Sequence, residues 1–346
     1  MDRCIFRGGR TVNLKVIAAG VLVLLTAGAG AQNLNGAGAT FPYPIYSKWF
    51  NEYKQQNPSV QINYQPIGSG GGIRQVTEGT VDFGASDVTM TNEQLAAAKV
   101  KVIALPTVLG AVVPVYNIPG VNKDLNFSGD VIADIYLGKI ATWNDPRIAK
   151  DNPGVNLPAN AILPVYRSEG SGTTFIFTDF LSKVSSDFKG RVGAGAAVKW
   201  PTGIGQKGNE GVAGMVRQTP NTFGYVELIY AEQNKMSFGS VKNSSGKFLR
   251  ASTDGVTAAA AAAAKNMPPD YRISITNAAG PDSYPISSFT WLLIPTHASD
   301  ASKTKALVGF MNWMLDHGQS EAASLSYAPL PQQVQEMVRK SVATIK

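Results

Sequence analysis

The chain has 346 residues, which suggests about two domains at roughly 150 residues each. Hydrophobic residues make up 44% of it and charged residues 16%, so it can bury sizeable cores and is too apolar for a disordered protein. The formal net charge is +7, and one cysteine with two histidines excludes a disulfide framework and a Cys/His zinc site. A functional site must therefore consist mainly of Ser, Thr, Asp, Glu, Arg, Lys and backbone groups.

The first 31 residues have the features of a secretory signal peptide. Residues 1–15 hold four basic residues and one acidic residue, an apolar run follows over 16–26, and small residues lead to Ala31. Cleavage there would leave Gln32 first in a mature chain with no cysteine, 27 basic and 23 acidic residues, and a net charge of +4. The apolar run is too short for an ordinary membrane span. We therefore predict an exported, soluble protein.

Predicted strands and helices alternate along the mature chain, which indicates an α/β fold with largely parallel sheets. The first elements in chain order are a helix over 44–56, a strand over 60–64, a helix from about 73, a strand over 81–85, a helix from 91 that begins with a capping box, and strands over 100–105 and 110–116. They are followed by a helix over 130–138, a strand over 162–166, a helix through 188, a strand over 223–230, a helix over 258–264, a strand over 284–295 and two closing helices. No long linker occurs, and two domains without a linker are consistent with a chain that crosses between them more than once.

Three glycine-rich segments share one design, because each leads into a predicted helix and carries hydroxyl side chains. They are 36–41, 68–72 and 170–173, and Arg167 lies just before the third. Free N–H groups and the positive end of a helix attract anions, and glycine lets the backbone come close. Together the three segments predict a site for a small tetrahedral anion at the carboxyl ends of the strands.

Two acidic residues accompany these segments. Asp87 follows the predicted strand over 81–85, and beside an anion it would repel the ligand unless the ligand donates a proton. As a loop residue or helix cap it needs no such role. Glu169 lies two residues from Arg167, where it either holds the guanidinium in place or forms a weak surface ion pair.

Other patterns carry less information. Residues 203–208 match GxGxxG and Glu227 follows at a suitable distance, but Pro201 interrupts the strand-to-turn geometry of a dinucleotide site, so we interpret the segment as a glycine-rich loop. Hydrolase, zincin and P-loop motifs are absent from the sequence. Basic residues are dispersed, so nucleic-acid binding is not predicted.

Several motifs, in the order in which they occur along the chain, resemble those of the periplasmic phosphate-binding proteins of ABC-type phosphate uptake systems. The resemblance covers essentially the whole mature chain and is carried by residues 36–42, 67–72, 81–87, 135–143, 170–173, 199–209 and 224–227. It implies a two-lobed, type II-like binding-protein fold, in which each lobe is a mainly parallel sheet flanked by helices. The implied lobes are 32–110 with 285–346, and 111–284, joined by a hinge of two crossings near 110–115 and 280–287.

The resemblance also implies a function and a site. The phosphate-lining positions are Thr40, Phe41 (through its backbone), Ser69, Asp87, Arg167, Ser171, Gly172 and Thr173. Glu169 would support Arg167, although the family usually has Asp there and the extra methylene could shift the guanidinium. The expected protein is a periplasmic monomer without cofactor, metal or enzymatic activity, which passes inorganic phosphate to the permease subunits of an ABC importer. A binding protein for another oxyanion such as sulfate, and an extracytoplasmic phosphatase, remain as alternatives.

Overall fold

The computed structural model describes residues 32–297 and 300–346, so the predicted signal peptide lies outside the described residues. The strands are β1 (Gln32–Gly38), β2 (Val60–Pro66), β3 (Phe83–Ser86), β4 (Val102–Asn117), β5 (Asn126–Phe127), β6 (Leu163–Arg167), β7 (Ile204–Gln206), β8 (Thr222–Glu227), β9 (Ser237–Phe238), β10 (Ser240–Lys242), β11 (Phe248–Leu249) and β12 (Ser287–Pro295). The helices are α1 (Tyr43–Gln56), α2 (Ser69–Glu78), α3 (Asn92–Ala97), α4 (Gly129–Tyr136), α5 (Pro146–Asp151), α6 (Gly172–Val184), α7 (Ser186–Arg191), α8 (Gly208–Gln218), α9 (Leu228–Gln233), α10 (Thr253–Ala264), α11 (Ala301–Trp313), α12 (Gln319–Glu321) and α13 (Gln332–Val342). Within this part of the chain, no helix is long and apolar enough to cross a membrane.

The main sheet is mixed and has the strand order β2-β1-β3-β12-β4-β8-β6-β7, with β9 also paired to β4. Its outer strands are parallel: β1 with β2 and β3, and β6 with β7 and β8. Its central pairs, which involve β12 and β4, are antiparallel. The predicted α/β fold is confirmed, and the antiparallel centre arises because two long strands run back through the middle of the sheet.

Strand β4 belongs to both halves of this sheet. Its residues Val102–Ala111 pair with β12, and its residues Val112–Asn117 pair with β8. We call β1, β2, β3, β12 and Val102–Ala111 the first half of the sheet, and Val112–Asn117, β6, β7 and β8 the second half. The sequence predicted two separate strands over 100–105 and 110–116. That prediction is wrong because the intervening residues are buried and continue the same strand.

Two other predicted boundaries differ from the structure for local reasons. The strand expected over 223–230 ends at Glu227, whose carboxylate accepts the Ile229 N–H at 2.9 Å and caps α9. The helix expected from about residue 73 already begins at Ser69. Residues 70–72 are glycines, which have low helix propensity, so the sequence pattern placed the start of this helix too late. The predicted capping box between Thr91 and Gln94 is present at the start of α3.

Aromatic side chains fill the core on both halves of the sheet. In the first half, the rings of Phe50 and Phe310 lie 5.1 Å apart. In the second half, Phe177 stacks on Tyr225 with ring centroids 4.2 Å apart. The Tyr225 hydroxyl accepts the backbone N–H of Arg167 at 3.2 Å. The aromatic core therefore extends directly beneath a predicted site residue and restrains it.

We expect Phe223→Ala to lower the free energy of unfolding by about 3–5 kcal/mol, because a buried ring is replaced by a cavity. Phe223 is fully buried, and its ring lies 5.1 Å from that of Phe127 and 6.0 Å from that of Trp143. Urea denaturation of the purified protein would measure the loss. Phe248→Ala is the matched control, since Phe248 is only half-buried. An equal loss in both variants would contradict the prediction.

Candidate functional site

The predicted site residues follow strands that end at one place. Because β1, β2 and β3 are mutually aligned and parallel, their carboxyl ends share one edge of the first half. Thr40 comes just after β1, Ser69 after β2 and Asp87 after β3, and all three side chains are buried. In the second half, β6 ends at Arg167, and Ser171 is the N-cap of α6. The sequence-predicted segments thus come from both halves of the sheet.

Direct hydrogen bonds join these segments. The Ser69 hydroxyl oxygen accepts the N–H of Asp87 at 3.2 Å and the N–H of Gly172 at 3.0 Å. The N–H of Gly70 donates to the carbonyl of Gly170 at 2.9 Å. A Cβ on Gly172 would lie 2.5 Å from the Asp87 Cβ, so only glycine permits this approach. The two halves are therefore closed onto each other at the predicted site.

Arg167 is held rigidly at the base of the site, with 1% of its side chain exposed. Its Nε and Nη2 both donate to Glu169 Oε1, the former at 2.9 Å, and its Nη1 donates to the Thr173 hydroxyl at 3.2 Å. Glu169 Oε1 also accepts the N–H of Gly208 at 3.0 Å. A guanidinium has five donors, so two remain without a partner in the described residues.

Several backbone donors are also free. The N–H groups of Phe41, Ser69 and Thr173 donate to no acceptor within residues 32–297 and 300–346. The Phe41 ring packs into the core, and its carbonyl accepts the Tyr327 hydroxyl at 2.5 Å. Buried N–H groups without an acceptor are costly, and those at helix starts typically bind anions. Their presence indicates that the site is built for a ligand with several acceptor atoms.

Asp87 is the carboxylate among these donors. Its Oδ1 accepts the Thr290 hydroxyl at 2.7 Å, and its Oδ2 lies 3.4 Å from the Ser69 hydroxyl. Burial raises the pKa of Asp87 to about 7, although the bonds from Thr290 and Ser69 and the nearby Arg167 charge act in the opposite direction. Near neutral pH this carboxyl can therefore be protonated or ionised, and its ionised form can accept a hydrogen bond from a hydroxyl of a bound ligand.

A β-bulge lies next to Thr290, the residue whose hydroxyl donates to the Asp87 carboxylate. The register between β4 and β12 shifts at Thr290, which leaves Thr107 as an extra residue in β4. The Thr107 hydroxyl donates to the Thr290 carbonyl at 3.3 Å and shares a 2.7 Å hydrogen bond with the Tyr46 hydroxyl. Thr290 was not predicted to belong to the site, because nothing in its apolar strand distinguishes its hydroxyl from that of an ordinary buried threonine.

Two further residues were missed by the sequence analysis. Asn209, at the start of α8, is fully buried and contacts both Thr40 and Thr173. Glu227, at the end of β8, is fully buried, and burial raises its pKa well above the ordinary value. Both lie in motifs that the sequence singled out, the segments 199–209 and 224–227, but neither was assigned to the phosphate site. The GxGxxG segment forms β7 and the first residue of α8.

The hydroxyl of Ser171 accepts the Thr174 N–H at 3.1 Å and caps α6, which leaves its own O–H available. The described residues include no group of three or more His, Cys, Asp or Glu that could hold a metal ion. The arrangement is therefore a buried set of donors around the Asp87 carboxylate, with Glu169 paired to Arg167.

Comparison with known proteins gives consistent matches. The model of the PBP superfamily domain matches residues 26–317. The phosphate-binding protein PstS of Pasteurella multocida is 46% identical over 310 residues, which cover 89% of each chain. The protein of the same name from Xylella fastidiosa is 44% identical over 299 residues, 86% of this chain and 81% of the relative. The crystal structure of a phosphate binding protein from Stenotrophomonas maltophilia matches with a TM-score of 0.68 at 19% identity, over 90% of this chain and 94% of that one.

Proposed function

Because the chain belongs to the PBP superfamily, we propose that it captures inorganic phosphate outside the cytoplasm and delivers it to the permease subunits of an ABC importer. Relatives at 44–46% identity are named phosphate-binding proteins, which supports phosphate as the ligand. In this proposal the protein carries out no chemistry, works as a monomer, and is exported to the periplasm after cleavage near Ala31.

The observation that carries the proposal is the set of free donors around Asp87. Within residues 32–297 and 300–346, free N–H groups come from Phe41, Ser69 and Thr173, and the Arg167 guanidinium adds a charge with two donors that have no partner there. These groups can replace the hydration shell of a tetrahedral oxyanion in a site from which water is excluded. Thr40, Ser171 and Gly172 complete the proposed ligand-binding set.

Phosphate fits this set better than sulfate because of the carboxylate. Near neutral pH phosphate keeps at least one O–H, which Asp87 can accept, whereas sulfate has none to offer. A buried carboxylate facing sulfate would be left with a repulsive neighbour and an unpaired acceptor. An extracytoplasmic phosphatase is the alternative from another class, and turnover of a phosphate ester by the purified protein would distinguish it from a binding protein.

We further propose that residues 32–110 with 285–346 form one lobe, and 111–284 the other. They would open and close about β4 and the crossing near 280–287. Bonds such as Gly172 N–H to Ser69 Oγ already cross between these ranges. A phosphate contacted from both sides would stabilise the closed arrangement through its higher affinity for that state.

Phosphate should raise the melting temperature of the purified mature protein and make it more compact. A ligand that binds only the folded state at about 1,000 times its Kd adds about 4 kcal/mol of stability, which shifts the transition by several degrees. Calorimetric titration with phosphate, sulfate and molybdate would give the ligand preference, and small-angle scattering would give the radius of gyration. Tight binding without compaction would contradict lobe closure, and absence of phosphate binding would contradict the function.

A further inference from the structure

Asn209 connects the two halves of the site without belonging to the proposed ligand set. It stands at the start of α8 in the second half and is fully buried. Its Nδ2 donates to the hydroxyl oxygen of Thr40 at 2.8 Å and to that of Thr173 at 3.2 Å. Thr40 follows β1 in the first half, and Thr173 lies in α6 on the opposite side. One amide group therefore contacts a threonine hydroxyl on each side of the site.

The orientation of this amide is fixed by the backbone. The N–H of Glu227 donates to Asn209 Oδ1 at 3.0 Å. A backbone N–H can only donate, so the carbonyl oxygen of the amide must face Glu227. The NH₂ group must then face the two threonines, and the reversed amide would place NH₂ against N–H. Glu227, at the end of β8, thus determines what the threonine hydroxyls meet.

Both hydroxyl oxygens have their acceptor positions filled. Thr40 Oγ1 accepts the backbone N–H of Asn209 at 3.2 Å in addition to Nδ2. Thr173 Oγ1 accepts Arg167 Nη1 at 3.2 Å in addition to Nδ2. A hydroxyl has two acceptor positions and one hydrogen to donate. Within the described residues, neither hydroxyl donates its hydrogen to any acceptor.

We propose that Asn209 is a positioning residue that makes the hydroxyls of Thr40 and Thr173 donors toward the bound anion. With both lone pairs engaged, each hydroxyl can interact with a ligand only through its hydrogen. Such hydroxyls favour a ligand that presents acceptor oxygens to both sides, which is the chemistry of a tetrahedral oxyanion. The inference rests on the proposed function, because it assigns these hydroxyls to phosphate. Asn209 itself need not touch the ligand.

The decisive comparison is between Asn209→Asp and Asn209→Ala. The aspartate keeps the shape of the side chain but can only accept, so it would turn the hydrogens of Thr40 and Thr173 toward itself. We expect Asn209→Ala to weaken phosphate binding about tenfold and Asn209→Asp at least about 100-fold, as measured by calorimetric titration. A residue that only filled space would give the opposite order, since alanine changes the packing more than aspartate does.

A double-mutant cycle separates hydroxyl orientation from charge repulsion. If Asn209 acts through the threonines, Asn209→Ala should weaken binding less in a Thr173→Val background than in the native chain, because one of its targets is gone. The same should hold in a Thr40→Val background. For Asn209→Asp, the part of the loss that persists when both Thr40 and Thr173 are replaced by valine measures repulsion of the anion. Fully additive losses in both cycles would overturn the proposal.

Two controls complete the experiment. Gln218→Glu adds one negative charge at the exposed end of the same helix and should leave the affinity unchanged. The melting temperatures of the ligand-free variants show whether folding is affected separately from binding. If the native chain binds phosphate and Asn209→Asp binds it equally well, the role of Asn209 is wrong while the proposed function stands. If the native chain binds no phosphate, the proposed function itself is wrong.

Discussion

Arg167→Ala should weaken phosphate binding by at least about 100-fold. A hydrogen bond to a charged group contributes about 1.5–3 kcal/mol, and 3 kcal/mol corresponds to a little over two powers of ten in affinity. The variant also removes the only positive charge that Glu169 contacts within the described residues, and it releases the Thr173 hydroxyl from Nη1. The anion would then face a Glu169 carboxylate that has lost its positive partner and keeps the N–H of Gly208. Calorimetric titration of the variant with phosphate measures the effect.

Arg167→Lys should recover only part of the affinity. Arg167 donates to Glu169 and Thr173 at the same time and still has two donors for a ligand, whereas an ammonium group has three donors and no planar fork. Arg147→Ala is the matched control, because Arg147 is exposed and pairs with Asp134 and Asp145 at the surface. Unchanged affinity in Arg167→Ala, or an equal loss in Arg147→Ala, would show that the site has been assigned incorrectly.

Asp87→Asn should largely abolish the discrimination between phosphate and sulfate. A site that hydrogen-bonds one group rejects an analogue lacking it, so at a pH above about 8, where Asp87 is mostly ionised, the native chain should bind sulfate more weakly than phosphate. The amide of the variant is neutral and can donate its N–H to a bare sulfate oxygen. Phosphate binding should survive in part, because asparagine keeps an acceptor oxygen. Competition by sulfate at a fixed phosphate concentration measures the change.

The pKa of Asp87 gives this discrimination a pH dependence. Because burial raises that pKa to about 7, the carboxyl is mostly ionised at about pH 8 and mostly protonated at about pH 6. The protonated form can donate to sulfate, so sulfate should compete better as the pH falls across this range. Phosphate keeps a hydrogen to donate at both pH values and should remain bound. In Asp87→Asn the competition by sulfate should change less with pH than in the native chain, because the amide does not titrate.

Asp82→Asn is the matched control for this experiment. Asp82 lies just before β3, five residues from Asp87, and pairs with Lys303 at 3.0 Å, away from the free donors. The same substitution there should leave sulfate exclusion intact. Equal exclusion of sulfate by the native chain and by Asp87→Asn would show that Asp87 is not the discriminating group.

The sequence predicted which segments form the site better than it predicted how these segments contact one another. The glycine-rich segments, their hydroxyls and Arg167 stand out because glycine and helix starts leave a visible pattern. The contact between Ser69 and Gly172 joins residues 103 positions apart, and no periodicity predicts such a pair. Thr290 is a threonine in an apolar strand, and the motif that contains Asn209 gives no sign of its contacts with Thr40 and Thr173. Their importance depends on which acceptors and donors the fold places against them.

The continuity of β4 could likewise not be predicted from the sequence. A strand that is buried throughout gives no alternation of polar and apolar residues, so its length cannot be counted from the pattern. The sequence therefore predicts that one strand ends at 105 and another begins at 110. In the structure, the residues between the two predicted strands belong to one continuous strand, whose partner changes from β12 to β8.

This change of partner within one strand restricts where the chain can vary in length. Successive side chains of a strand point to opposite faces, so one residue added between Ala111 and Val112 would turn every following side chain of β4 to the wrong side of the β8 pairing. Only a second bulge, like that at Thr107, could absorb the extra residue. The exposed turn at residues 244–246 has no such restriction. Insertions that carry a tag or a reporter domain therefore belong in that turn and not in β4.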